Sequence, residues 1–251
     1  MVSRKGEKRG GRVVDFRTAP EGGGARRLAW LERIRPGRAS RELTLTGMAA
    51  SAILAAAAAW AYPGGTWAEP DRTGHAFLEN FWCDLLRAEA LNGRPNPVAS
   101  ELMLLALLIF AGTLVVYFHH LAAVLAPDPT SRWVRVCGWP AAVGVGLVAL
   151  TPSDRFPALH AAAVIAAGPV LLAAVLVALL GLRRRGHGPP GGAWLAIGGL
   201  LLALVNLVQY VRQVQWGVEY APWLPGVQKL SSLSFLSWMA LVSGARGERS
   251  P

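Results

Sequence analysis

The chain has 251 residues, of which 53% are hydrophobic and only 16% charged, and its formal net charge is +10. A soluble domain carries nearer a quarter of its residues as charges, which excludes an ordinary water-soluble fold. The basic residues fall on alternate sides of apolar runs, a pattern of membrane topology and not of a nucleic-acid surface.

Residues 1–43 hold twelve of the 25 Lys and Arg, from Arg4 to Arg41. This stretch is Gly-rich and without periodicity, so it is expected to be a disordered cytoplasmic arm attracted to anionic lipid headgroups. The first apolar run starts late and is followed by no processing site, which argues against a cleavable signal peptide. Six apolar runs follow, at 44–62, 100–124, 133–151, 157–182, 193–210 and 222–242. Each is close to the roughly 20 residues that cross about 30 Å of hydrocarbon as helix. Backbone groups in that layer must be paired within their own segment, so the runs have to be helical. The expected fold is all-α: a polytopic six-transmembrane-helix domain over 44–245, then a short cytoplasmic tail over 246–251.

The longest connector, between the first two spans, contains N-F-W-C-D-L-L from Asn80 to Leu86. Phe77, Phe81, Trp82, Leu85, Leu86 and Leu91 recur near helical spacing, which predicts an amphipathic helix over 76–91 lying on the outer interface. It either covers the bundle, with Asp84 solvated, or acts as a lid that lowers Asn80 and Asp84 onto other polar groups. The later connectors carry Arg132 and Arg135, then Arg183, Arg184 and Arg185, and the tail carries Arg246 and Arg249. With the arm, these total 19 basic residues on one side, against five near the other face and Lys229 within a span. The positive-inside rule then places both termini in the cytoplasm of a multi-pass cell-membrane protein. Trp60, Tyr62, Trp67, Trp82, Trp216, Tyr220 and Trp223 fall at the outer interface, where amphipathic rings settle.

Polar residues inside spans are costly and usually face other helices or a water-filled cavity. Here they gather in the outer half. The hairpin T-P-S-D-R-F-P-A-L-H, Thr151 to His160, offers Ser153 or Asp154 as a cap and Pro157 in the first turn of the next helix. His160, one turn further, can return below Asp154, and an Asp–His pair can shuttle a proton. Capping and catalysis both remain open for this pair. Asn206, Gln209 and Gln213 share a helix face, and Gln228 and Lys229 lie about two turns into the last span. A buried lysine either snorkels to the headgroups or pairs with a carboxylate, and Asp84 and Asp154 are at a suitable depth. The candidate catalytic residues are therefore Asp84, Asp154, His160 and Lys229. Asn80, Thr151, Ser153, Gln209, Arg212 and Gln228 are expected to line a polar pocket open to the outer leaflet.

Adjacent His119 and His120 point to different helix faces, and no H-x-x-x-H, H-E-x-x-H, C-x-x-C, G-x-S-x-G, P-loop or dinucleotide motif occurs. No metal or cofactor is expected. Cys83 and Cys137 lie on opposite sides of the predicted membrane, too far apart for a disulfide, so two free thiols are expected.

The segments Asn80-Phe-Trp-Cys-Asp84-Leu and Thr151-Pro-Ser-Asp154 with His160 resemble those of a group of six-span proteins. The group comprises a bacterial membrane family of unknown function, the damage-regulated autophagy modulators and the GPI-anchor lipid-remodelling factor. The resemblance runs from Tyr62 to Ser243 and implies lipid-related membrane biology. Cys83 stands where the group usually has Ser, which weakens a hydroxyl role there. Ceramidase-like hydrolases need three His at a zinc, whereas one His, His160, joins the outer cluster. Three readings follow, with membrane lipids as the expected partners and oligomeric state open: a lipid-handling or lipid-modifying protein, a non-catalytic scaffold or interaction protein, and a small-solute transporter.

Overall fold

The computed structural model describes residues 37–186, 188 and 191–244. Residues 1–36 of the expected 1–43 arm and the tail over 246–251 lie outside the described residues, while 38–43 are helical and not disordered. Six α-helices form among the described residues: α1 Arg38–Ala61, α2 Pro97–Leu125, α3 Thr130–Leu150, α4 Pro157–Arg184, α5 Gly192–Trp216 and α6 Leu224–Gly244. No strand occurs among them; two isolated bridges, Gly64 to Thr73 and Glu89 to Pro95, lie in the 62–96 loop.

Five helices, α1 to α5, are long and apolar enough to cross a membrane. Their outward faces present Ile53, Leu105, Val143, Leu159, Leu176 and Leu201, all exposed. A continuous apolar exterior of this kind suits hydrocarbon and not water. The helices mark a multi-pass membrane protein. The sixth has the length, at 21 residues, but Gln228, Lys229 and five serines dilute its hydropathy.

α1 begins at Arg38, before the apolar run at 44. Its first turns are polar but locally supported. Arg38 pairs with Glu42 at 2.7 Å across one turn, and the Ser40 hydroxyl meets His120 Nδ1 at 3.0 Å. Hydropathy marks only where a helix meets lipid, so it misses this extension. α5 likewise continues to Trp216, past the expected end at 210, and stops at left-handed Gly217.

Neighbouring helices in sequence pack on one another. The hairpin after α3 and the connector after α5 both reach the 62–96 loop, through Asp154 and Tyr220. Ser40 to His120, and Arg185 to the Val124 carbonyl, join segments at the opposite end. The chain therefore alternates direction from helix to helix. Small residues allow the close crossings: a side chain at Gly47 would overlap Thr113, and one at Gly138 would overlap Phe118. One buried cluster centres on Tyr117, Phe118, Leu121, Leu125 and Trp238. A second, of Ala58, Tyr62, Leu85, Leu86 and Met103, lies where the loop folds onto α1 and α2.

Candidate functional site

The 62–96 loop is compact, but it is not the amphipathic helix that its apolar spacing predicts. Only Trp82–Leu86 is helical, as a single 3-10 turn. The reason lies in two short polar side chains that bond the main chain in place of helical partners. Asn80 Oδ1 accepts from the Ala76 N–H at 2.9 Å, and its Nδ2 donates to the Gly65 carbonyl at 2.8 Å. Asp84 Oδ2 accepts from the Phe81 N–H at 2.7 Å, and its Oδ1 from Trp67 Nε1 at 3.3 Å. Gly65 has φ of 86°, and a Cβ there would strike the main chain at Leu91–Asn92. Tyr62 is buried in the same fold, and its hydroxyl oxygen accepts the Leu91 N–H at 3.0 Å. Asp84 is buried and not solvated. Burial raises its carboxyl above the usual range, against the opposing pull of the Phe81 N–H, Trp67 and Asn80.

α6 grips this loop with two consecutive residues. Lys229 is fully buried, and its ammonium donates to the backbone carbonyl of Asn80. It also lies 4.8 Å from the Trp82 ring centroid and 5.3 Å from that of Phe77. Aromatic faces carry negative potential and stabilise a desolvated cation. Gln228 Oε1 accepts the Trp82 N–H at 2.9 Å, and Tyr220 Oη donates to the Glu79 carbonyl at 3.2 Å. The expected ion pair of Lys229 with Asp84 or Asp154 is not formed: among the described residues no carboxylate makes a salt bridge to it. Both Asp84 oxygens already accept hydrogen bonds, and Asp154 is engaged elsewhere.

Asp154 Oδ2 accepts the N–H groups of Ala88 at 2.7 Å and Glu89 at 3.4 Å. It ties the α3–α4 hairpin to the loop. His160 Nδ1 instead meets the Thr151 carbonyl at 2.7 Å and closes the hairpin from within. The expected Asp–His pair is absent because each side chain is held by main-chain groups of a different segment. Thr151 Oγ1 donates back to the Leu147 carbonyl at 2.7 Å, and Ser153 is half-buried in the turn. Arg212 Nη1 donates to Gln209 Oε1 at 3.0 Å, one turn away on α5, and these two bond each other and not the loop.

The fold thus brings Asn80, Asp84, Gln228 and Lys229 together and joins Asp154 to them through the loop. It leaves out Ser153, Gln209 and Arg212, and it gives Thr151 and His160 a separate bond. Cys83 and Cys137 are free thiols. No group of three or more His, Cys, Asp or Glu among the described residues is placed to hold a metal.

A cavity lies apart from these residues and is apolar, unlike the polar pocket expected from the sequence. It has a volume of about 510 Å³ and lies between α1, α2 and α6, with Leu171 and Val175 of α4 behind. None of the ten sequence-derived site residues lines it. Phe77 and Trp82 of the loop close one end; Met48, Tyr117, Trp238 and Met239 line the other. Its cause is legible in α1. Ala52, Ala55, Ala56 and Ala59 share one face by their helical spacing and present only methyl groups where larger side chains would fill the space. α1 packs on α2 and only weakly on α6. Ala52, Ala56 and Leu233, which line the cavity, are also exposed, so it opens sideways between α1 and α6. Ser51 and Ser232 turn their hydroxyls back to their own helices, onto the carbonyls of Gly47 and Gln228.

Comparison with protein-family models, with curated proteins and with solved structures finds no match for the chain.

Proposed function

We propose that this is a lipid-handling protein of the cell membrane that holds a hydrocarbon chain in the cavity between α1, α2 and α6. The observation that carries the reading is the cavity itself: apolar along its length, within the roughly 300–1,000 Å³ usual for ligand sites, and open sideways where α1 and α6 part. A chain can enter from the hydrocarbon layer without crossing water. The resemblance of the Asn80–Asp84 segment and the Thr151–His160 hairpin to lipid-related six-span proteins points the same way.

In this reading α6 is the sixth span. An even number of crossings returns both termini to one side, and the arginines at 132, 135 and 183–185 make that side the cytoplasm. The alternation of hydrogen bonds between the two ends supports six crossings. The 62–96 loop then faces outward. Asp154 and Lys229 act as clamps that tie this loop to the α3–α4 hairpin and to α6, Asp84 shapes the loop from within and His160 closes the hairpin; none of the four faces another as an acid–base pair. The function is binding and not catalysis at this cluster. An apolar lining also gives no path to a polar solute, which sets the transporter reading aside.

The test fills the space. In Ala55→Phe and Ala56→Phe proteins, purified under mild conditions alongside wild type, lipid that co-purifies is measured by mass spectrometry. Loss of one lipid class from both variants is expected. Unchanged lipid content in folded variants overturns the proposal.

A further inference from the structure

The cavity between α1, α2 and α6 has a firm floor and a pinned roof. At the end away from the loop it is lined by Tyr117, Phe118 and Trp238. These rings are each 1% exposed, and Tyr117 packs edge-to-face on Phe118, with centroids 5.3 Å apart, and on Trp238, at 5.9 Å. Leu121 and Leu125, buried in the same cluster, continue the packing further along α2. A layer this well filled yields little to a chain pressing on it. At the other end stand Phe77 and Trp82. Lys229 lies over both rings, and Gln228 holds the Trp82 N–H.

Two dimensions follow. Met103 packs with Trp82 at the roof and Tyr117 lies at the floor, and along α2 they are separated by about 21 Å at 1.5 Å per residue. An extended hydrocarbon advances about 1.25 Å per carbon, given bonds of about 1.52 Å at about 111°. The length therefore suits about 16–18 carbons. Spread over it, a volume of about 510 Å³ averages about 24 Å² in section. One chain needs about 20 Å² at carbon contacts of about 4 Å, and two need about 40 Å².

We infer that the cavity measures chain length: it takes one chain of about 16–18 carbons from a two-chain lipid of the loop-side leaflet, ending on the Tyr117–Phe118–Trp238 floor. This rests on the proposed role of the cavity as a lipid-chain site. The headgroup and the second chain stay outside. No Lys, Arg, Asp or Glu lines the cavity to hold a headgroup within, and the slot between Ala56 and Leu233 leaves a lipid's remaining parts in the bilayer.

The test uses full-length protein, stripped of lipid in mild detergent, and an equimolar mixture of saturated lysophosphatidylcholines of 10 to 22 carbons. Bound lipid is read by native mass spectrometry. Retention by wild type is expected to peak at about 16–18 carbons and to be about tenfold lower at 22, since surplus methylenes overfill a packed site. Ser51 lines the cavity one turn nearer the roof than Met48, by about 4.5 Å. Ser51→Phe should move the maximum down by about four carbons, and Met48→Ala should move it up. Loss of stability alone lowers retention at every length and moves no maximum. In diacyl phosphatidylcholines with one chain fixed at 16 carbons, varying the other from 10 to 22 should change retention less than twofold. Retention by wild type that is flat with length, a maximum that stays in place in both variants, or an equally sharp dependence on the second chain overturns the inference and leaves the cavity reading standing. Retention of no lipid from either series overturns both.

Discussion

The Lys229 ammonium donates to the main-chain carbonyl of Asn80, 149 residues earlier in the chain, and not to a carboxylate. That bond decides how a buried cation is tolerated on α6. A carbonyl and two aromatic faces solvate it, while Asp84 serves the loop backbone. The lysine is a rivet between the last helix and the loop over the cavity.

Removing the rivet should loosen the loop. Lys229→Met keeps the stem's packing but leaves the Asn80 carbonyl without this partner, a loss of about 1–3 kcal/mol. The expected outcome is a lower melting temperature and faster proteolysis within 62–96, with the helices still folded. Unchanged cleavage of the loop would show that Lys229 does not hold it.

Asp154 offers a sharper contrast. As a clamp it needs only an acceptor for Ala88 and Glu89. Asp154→Asn retains an acceptor oxygen and should lose less than about 1 kcal/mol, whereas Asp154→Ala leaves two amides unpaired and should lose about 1–3 kcal/mol. Thermal melts of the two variants read the difference. An equal loss in both would mean that charge matters, as proton transfer or ion pairing requires.

His75 in the loop gives a pH signature. Burial, with Lys229 as a second cause, lowers its pKa from 6.5 to about 4. A depressed folded-state value means that the unfolded chain takes the proton first. The stabilising contribution of neutral His75 is therefore complete above 6.5 and is lost as pH falls toward 4. His75→Phe keeps the edge-to-face contacts with Tyr62 and Phe77. The difference in melting temperature between wild type and this variant should turn against wild type over that range. A constant difference would mean that His75 is not buried neutral.

Asp84 acts in the opposite sense. Its folded-state pKa is raised from 3.8 by burial, so the neutral form is favoured in the fold. Its contribution is fully present below 3.8 and declines as pH rises through the raised value. Relative to Asp84→Asn, wild type should lose stability as pH rises from the acid side, measured by melting in matched buffers. A rising difference would indicate an ion-paired carboxylate instead.

The helices were legible because hydrocarbon imposes a simple rule on sequence: about twenty apolar residues, paired backbone, arginines to one side. Helix ends were less so, since the first turns of α1 around Arg38 and Glu42 are polar and helical at once. The loop was misread for a physical reason. The spacing of Phe77, Phe81 and Leu85 suits a helix, but Asn80 and Asp84 bond the backbone more favourably outside one. Depth alone singled out Lys229 and Asp154 as residues needing partners, yet it could not tell a carboxylate from a carbonyl or an amide. The alanines of α1 carried the missing signal. Ala52, Ala55, Ala56 and Ala59 suit a membrane helix as well as any larger residue, and only their shared face reveals a gap.

The most direct measurement is a density map of the protein in lipid nanodiscs by electron cryo-microscopy. Elongated density inside the α1–α2–α6 cavity, reaching from Trp82 toward Tyr117 and entering between Ala56 and Leu233, is the expected result. A cavity that is collapsed, or filled by ordered water contacting the protein, would contradict it.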